Sequence, residues 1–250
     1  MSMAIDMIKA DWPAPRGIVA GTTTRVGGVS ADAYSSLNLA AHVGDVPESV
    51  AENRRRFIAH CRLPAEPLWL TQVHGTQIAV DPDPGSQPVA DAILSTAEET
   101  VCVVMTADCL PVLLVSTDGA ELAAAHAGWR GLSDGVLEST VASFSNSPTD
   151  ILAWLGPAIS QENFEVGDEV REVFLSHDEA ASACFIRNAR GRWQADLYHL
   201  ARQRLAAAGV QRIYGGQDCT YADSERFFSY RRDGECGRMA SFVFRDGETG

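Results

Sequence analysis

The sequence lacks the features that mark several common functional classes. No run approaches the roughly 18 apolar residues of a membrane span. The segment MSMAIDMIKADW has no basic region followed by an apolar core, so we expect no secretory signal. Neither a GxGxxG nor a Walker A phosphate loop occurs. Basic residues number 20 against 33 acidic ones, a net charge of −13, which argues against nucleic acid or anionic membrane as a partner.

Cysteine and histidine are also scarce, with six of each. The cysteines are scattered through the chain, and no CxxC pair is present. A dense disulfide framework and a structural zinc ribbon are therefore both disfavoured. We expect reduced thiols and a cytoplasmic protein.

What is present is ordinary for a globular enzyme. The chain has 250 residues, of which 46% are hydrophobic and 21% charged, enough for a sizeable core. It contains no internal repeat, low-complexity tract or convincing linker. We therefore predict a single catalytic domain over residues 1–250, with its core at about 17–245.

Strand and helix patterns alternate along the chain. Asp118-Gly119 is a hairpin signal between two central strands, and Pro111 predicts that its strand begins irregularly or lies at an edge. Asp45 with Glu48 predicts a capping box, and Asp196 a second N-cap. Mixed hairpins and helix crossovers indicate an α/β (α+β) fold with mixed sheets. The predicted strands are 17–24, 101–106, 110–116, 151–160, 211–214 and 239–244, and the predicted helices are 46–60, 133–145, 167–176 and 196–208.

Three residues stand out as candidate metal ligands: His74 in TQVHG, Cys109 in ADCLPVLL and His126 in HAGWRG. Each lies beside a turn or small-residue signal, where a side chain can point into a cleft. Two imidazoles and a thiolate suit zinc, and three protein ligands leave the open position typical of a catalytic site. Taken singly, each could equally be a satisfied core residue, because the spacings match no short metal motif.

Copper and thiol chemistry compete with zinc for these residues. His₂Cys is also the ligand set of a blue-copper site, and Met105 could serve as its axial ligand. Six histidines without a His-x-His pair cannot supply a trinuclear copper cluster, so a true laccase is disfavoured and copper remains only a possible substitute metal. Alternatively, Cys109 could be the nucleophile of a hydrolase, with His126 or His74 as its base. The sequence does not separate these two chemistries.

Arginines in turn-rich segments are candidates for binding phosphate or carboxylate, since the guanidinium is a planar bidentate donor. The candidates are Arg25 in TTTRVGG, Arg130 in HAGWRG and Arg231 in FFSYRRD. Most arginines are solvated surface residues, but these three lie near strand ends.

Other polar and aromatic residues have both a functional and a structural interpretation. Asp108 could orient a ligand histidine or cap a turn. Asn38 could bind substrate or close its own loop. Trp129 and Tyr230 could stack on a purine, although core packing is the default for a lone aromatic residue. Cys219 is interpreted as structural.

The ordered motifs TQVHG, ADCLPVLL, HAGWRG, LGPAIS, QDCTY and FFSYRRDGECGRM resemble those of a known family. This family was long labelled multicopper polyphenol oxidase or laccase-domain, and its members are now described as zinc-dependent purine nucleoside enzymes. The resemblance covers almost the whole chain and places His74, Cys109 and His126 on the family's zinc ligands. It implies two mixed β-sheets packed together with helices outside.

The resemblance also implies an activity: phosphorolysis of adenosine, inosine, guanosine and methylthioadenosine, with deamination of adenosine. The expected partners are purine nucleosides and phosphate, bound by a monomer or homodimer. Asp108 and Arg130 are the predicted catalytic residues, and Arg25, Asn38 and Arg231 the predicted substrate-binding residues. Two alternatives stay open: a cysteine- or zinc-dependent amidase acting on cell-wall peptide precursors, and a non-catalytic metal-binding protein.

Overall fold

The centre of the molecule is a six-stranded mixed sheet formed by the apolar runs in the middle of the chain. A computed structural model describes residues 4–247. The outer strand pairs of this sheet are parallel and the inner pairs antiparallel. In spatial order its strands are Arg212–Gly215 (β12), Ile151–Leu155 (β8), Leu110–Ser116 (β6), Leu122–Ala127 (β7), Ala92–Ser95 (β4) and Ile78–Val80 (β3).

Two further sheets complete the β-structure. The four-stranded sheet is antiparallel throughout and joins Met7–Lys9 (β1), Ile18–Thr23 (β2), Met239–Arg245 (β13) and Cys102–Thr106 (β5). A small antiparallel sheet joins Phe185–Arg187 (β10), Trp193–Ala195 (β11) and Glu165–Val166 (β9). The predicted α+β class is thus confirmed in a single domain, with a third sheet beside the two expected.

The strand β6 is buried on both faces, and its alternating side chains divide the core. Leu110, Val112 and Leu114 face a cluster that contains helical residues. Leu113 and Val115 face the other way and pack with residues of the four-stranded sheet. The six-stranded sheet therefore lies between a helical layer and the second sheet.

The helices mostly follow the predicted segments. Asp196 caps the helix Leu197–Ala207 (α5) by accepting the His199 backbone N–H at 2.9 Å, and Gly209 follows that helix with φ +95°. None of the helices in residues 4–247 is long and apolar enough to cross a bilayer. The helices are Pro47–Cys61 (α1), Trp129–Asp134 (α2), Val136–Ala142 (α3), Asp168–His177 (α4), Leu197–Ala207 (α5) and Tyr230–Asp233 (α6).

Three local predictions differ from the structure. No side chain caps α1, because Asp45 accepts hydrogen bonds from Ser30 and from the Val46 backbone instead. The helix predicted over 133–145 is divided by Gly135, whose φ of +100° is left-handed. Of the two alternatives for the strand of Pro111, the edge position is wrong, because β6 is central. The beginning of the strand is irregular on one side, since Pro111 precedes the first residue that pairs with β8.

Candidate metal centre and cavity

The ends of neighbouring strands bring the three candidate ligands together. Pro111 of β6 lies opposite His126 of β7 in the antiparallel register, so Cys109, just before β6, lies beside His126. His74 comes from the loop before β3. The ligand atoms of the three side chains all lie within 4.8 Å of one another, and Cys109 Sγ is 3.9 Å from His74 Nε2.

The buried carboxylate of Asp91 fixes two of the three ligands. Its Oδ1 lies 2.8 Å from His126 Nδ1, which leaves Nε2 of that ring available for a metal. The same carboxylate accepts the backbone N–H groups of Val73, His74 and Gly75. One side chain therefore orients a ligand histidine and holds the loop that carries the other. Sequence reasoning missed Asp91; the only signal is a carboxylate directly before an apolar strand in VADAILS.

Of the two interpretations of Asp108, its contacts match the structural one, because the carboxylate that orients a candidate ligand histidine is Asp91. Asp108 has φ +87°, a backbone conformation unfavourable for a residue with a side chain. Its Oδ1 accepts the Thr220 hydroxyl and its Oδ2 the Arg231 backbone N–H, both at 2.7 Å. These bonds fix the turn that presents Cys109.

Gly128 leaves the space in which the ligands converge. A Cβ at this position would lie 2.9 Å from His74 Cδ2, 3.0 Å from Cys109 Sγ and 3.5 Å from His126 Nε2. Its φ of −62° and ψ of 156° are open to any residue. The glycine is therefore explained by space rather than by backbone conformation.

The charges of the cluster favour a thiolate. Burial opposes ionisation of Cys109, but the charge of His126 and hydrogen bonds from His126 and His74 outweigh it and lower the thiol pKa to about 6. Burial likewise opposes protonation of His126, but Cys109 and Asp91 raise its pKa to about 9. A group of this kind binds a divalent cation with release of protons.

The spacing of two of the three donors suits a single bridging metal ion. Zinc bonds are about 2.3 Å long to sulfur and about 2.0–2.1 Å to nitrogen, so a bridging ion spans up to about 4.4 Å between the two donors. The 3.9 Å between Cys109 Sγ and His74 Nε2 falls within this reach. The donor set is a possible metal site with room for an exogenous ligand.

The cluster opens into a cavity of about 440 Å³, within the range of small-molecule sites. Arg130 lines it, as does Tyr230, whose residue surface is 61% exposed. Of the described residues that line the cavity, none is aspartate or glutamate. The lining residues are His42, Gln72, His74, Met105, Thr106, Ala107, Cys109, His126, Arg130, Tyr230 and Arg238.

The other predicted substrate-binding residues do not line this cavity. Arg25 donates to the backbone carbonyls of Ser35 and Ser224. Arg231 donates to the Glu165 carbonyl and stacks over Phe164.

Asn38 is fully buried and closes its own loop through hydrogen bonds with Ala40 and Asp45. Trp129 is partly buried against the helical side of the core. Sequence reasoning did not single out five of the lining residues: His42, Gln72, Thr106, Ala107 and Arg238. Three of them lie within the motifs that carry the family resemblance, but only the fold shows that they line the cavity.

Known proteins resemble this chain over nearly its full length. Residues 19–246 match the family described as multi-copper polyphenol oxidoreductase laccase. The purine nucleoside phosphorylase YfiH of Escherichia coli K12 is 55% identical over 95% of this chain and 98% of its own. A purine nucleoside phosphorylase of Haemophilus influenzae is 49% identical, with the same coverage.

Solved structures have the same fold. Neisseria meningitidis protein NMB0706 superposes with a TM-score of 0.91 at 46% identity, over 96% of this chain and 99% of that one. YlmD of Geobacillus stearothermophilus gives a TM-score of 0.89 at 30% identity, over 98% of each chain.

Proposed function

This chain belongs to the multi-copper polyphenol oxidoreductase laccase family, and we propose that within it the chain is a zinc-dependent purine nucleoside phosphorylase. One observation carries the proposal: a His₂Cys cluster opens into a small-molecule cavity in a chain 55% identical to a protein of that name. The substrates are adenosine, inosine, guanosine and methylthioadenosine, each with phosphate.

Zinc is the proposed metal because of the donor set. A thiolate with two imidazoles suits zinc, and copper could substitute for it. Bound zinc would act as a Lewis acid that polarises an oxygen of substrate or water. His74, Cys109 and His126 would hold it, while Asp91 keeps His126 in the tautomer that presents Nε2.

We place the reaction in the cytoplasm of the cell. All six cysteines are free thiols in residues 4–247, as expected for a reducing compartment. The chain would act as a monomer or a homodimer, which size-exclusion chromatography with light scattering distinguishes. A larger assembly would contradict this proposal.

Adenosine deamination is the second activity that we propose. It requires a proton donor for the departing ammonia, and carboxylates usually provide it. Both oxygens of Asp108 are engaged by Thr220 and Arg231, so we assign Asp108 to positioning of Cys109. The proton would therefore come from a group other than a carboxylate, because none of the described residues that line the cavity is aspartate or glutamate.

The test combines metal analysis with product analysis. We expect close to one zinc per chain, conversion of inosine to hypoxanthine and ribose 1-phosphate only when phosphate is present, and conversion of adenosine partly to inosine. His74→Ala and Cys109→Ala should lose zinc and both activities while remaining folded. Phosphorolysis retained in a folded, zinc-free variant would refute the role of the metal. Absence of nucleoside turnover in a zinc-loaded wild type would refute the function.

A second candidate function is a Cys109-dependent amidase acting on cell-wall peptides, and the lowered pKa of Cys109 favours it. In that enzyme the thiolate attacks the substrate and must be free of metal. Iodoacetamide should then label Cys109 rapidly in the protein as purified, and labelling should abolish amide cleavage. Zinc that protects Cys109 from labelling would support the phosphorylase instead.

A further inference from the structure

We infer that Arg130, Arg238 and Thr106 form the phosphate subsite of this cavity, an assignment that rests on the proposed phosphorylase function. The ligand is a tetrahedral oxyanion: inorganic phosphate in the forward reaction, and the phosphoryl group of a sugar 1-phosphate in reverse. Of the two other arginines predicted to bind phosphate, neither Arg25 nor Arg231 lines the cavity.

The first support is charge. The chain carries a net charge of −13, yet its described cavity lining holds two arginines and no carboxylate. A pair of guanidinium groups in a concave site attracts an anion, and each guanidinium can bind its oxygens through two parallel hydrogen bonds.

The second support is that these arginines have unused donors. The Arg130 guanidinium lies 4.5 Å from the Trp129 ring centroid and forms no hydrogen bond or ion pair with a residue in 4–247. Arg238 uses only Nη1 within the described chain, donating to the carbonyls of Cys236 and Gly237. Its Nε and Nη2 are therefore left for a ligand, while the hydrogen bonds of Nη1 fix the orientation of the guanidinium group.

The third support is an orphaned hydroxyl. Thr106 is 1% exposed and lines the cavity, and its Oγ1 has no hydrogen-bond partner among the described residues. Thr106 pairs with Met239 across the β5–β13 ladder. It therefore lies opposite the residue that follows Arg238 in the chain. A buried hydroxyl without a partner is destabilising, and a phosphate oxygen would satisfy it.

His42 and Tyr230 complete the surroundings. Burial and the nearby Arg238 and Arg54 lower the pKa of His42, so at neutral pH this ring is uncharged and can donate one hydrogen bond. Tyr230 has its ring centroid 5.8 Å from the Arg238 guanidinium and offers a face for a planar base next to the anion. The cavity thus has an anion-binding side, formed by the arginines and Thr106, and an aromatic side, formed by Tyr230.

The experiment measures phosphate saturation in three variants and a control. Arg130→Gln should raise the apparent KM for phosphate about 10-fold or more, with a smaller change in the KM for inosine. Arg238→Lys keeps the positive charge but loses the planar bidentate guanidinium, and it should also raise the KM for phosphate. Arg212→Gln removes one positive charge from an exposed strand outside the cavity and should leave both constants unchanged.

Thr106→Val separates binding from folding. It removes the hydroxyl at nearly constant shape, and no hydrogen bond with a described residue is lost. We expect an unchanged or higher Tm together with a KM for phosphate raised about 3- to 10-fold. A purely structural role of the hydroxyl would instead lower the Tm and leave the KM for phosphate unchanged.

A second readout keeps the subsite testable if turnover fails. Inorganic phosphate should show ³¹P line broadening with the wild type, reduced by Arg130→Gln and Thr106→Val but not by Arg212→Gln. If the wild type broadens the signal but does not cleave nucleosides, the phosphorylase function fails and the subsite stands. If neither the KM for phosphate nor the ³¹P line broadening changes in Arg130→Gln and Thr106→Val, the subsite is refuted.

Discussion

At the scale of single residues, the candidate metal centre depends on a position without a side chain as well as on the three candidate ligands. Gly128 lies where the three candidate ligands converge, and a methyl group there would be within 3.0 Å of two of them. Asp91 is fully buried and does not line the cavity, yet it holds both His126 and the His74 loop. The site is therefore specified by at least two residues that bind no metal.

Gly128→Ala should fold but bind metal poorly. Its backbone angles suit alanine, whereas its Cβ would displace His74 and Cys109 from their present positions. We expect a zinc content well below one per chain and a loss of activity, with a far-UV spectrum like that of the wild type. Gly247→Ala is the control, because its Cβ would meet nothing within 4 Å and its φ lies outside the left-handed region. Full zinc occupancy in Gly128→Ala would show that this space is not needed.

Asp91→Asn should weaken the metal site without removing a ligand. Asparagine has one neutral acceptor oxygen where aspartate has two charged ones. It therefore cannot accept hydrogen bonds from both His126 Nδ1 and the three backbone N–H groups. Loss of such an orienting partner typically costs about 10- to 100-fold in metal affinity. Competition with a zinc chelator measures the change, and His60→Gln, outside the site, should match the wild type. An unchanged zinc affinity would mean that Asp91 contributes to folding and not to metal binding.

At the scale of elements, the site lies where strands end. β6 and β7 form the pair whose register places Cys109 beside His126, and α2 begins directly after Gly128. The sequence predicted β6 correctly from its apolar run, but the predicted 133–145 helix ran through a break. A glycine in a helical pattern does not reveal whether its φ is positive, since glycine adopts both signs readily.

Gly135→Ala tests that break. With φ +100°, an L side chain is strained, and we expect a loss of about 1–2 kcal/mol in the free energy of unfolding. Gly135→Asn should lose less, because asparagine tolerates the left-handed region. Urea denaturation provides the measurement, and zinc content should stay near one per chain in both variants. Equal stability of all three proteins would mean that α2 and α3 can merge.

At the scale of the whole molecule, the three candidate metal ligands belong to segments that are distant in sequence. His74 precedes β3, Cys109 directly precedes β6 and His126 lies on β7, so an ion bound by all three would crosslink the loop to the core. A ligand that binds only the folded state stabilises it by mass action.

Zinc at about 100 times its Kd should add about 2.7 kcal/mol to the free energy of unfolding, a rise in Tm on the order of 5–10 °C. Differential scanning calorimetry of the chelator-treated protein, before and after zinc is restored, measures this shift. His74→Ala serves as the control and should show little response. An equal shift in that variant would indicate that zinc binds elsewhere.

The sequence by itself determined the fold class, the central strands and the identity of the candidate ligands, because apolar periodicity and metal-donor chemistry are local properties. The tertiary structure alone decided which polar residues share the cavity. Arg130 reaches it, while Arg25, Asn38 and Arg231 hold loops. Arg238 joins the cavity from directly before β13, and Thr106 joins it from β5. Strand register sets these neighbours, and register depends on long-range packing that no local pattern encodes.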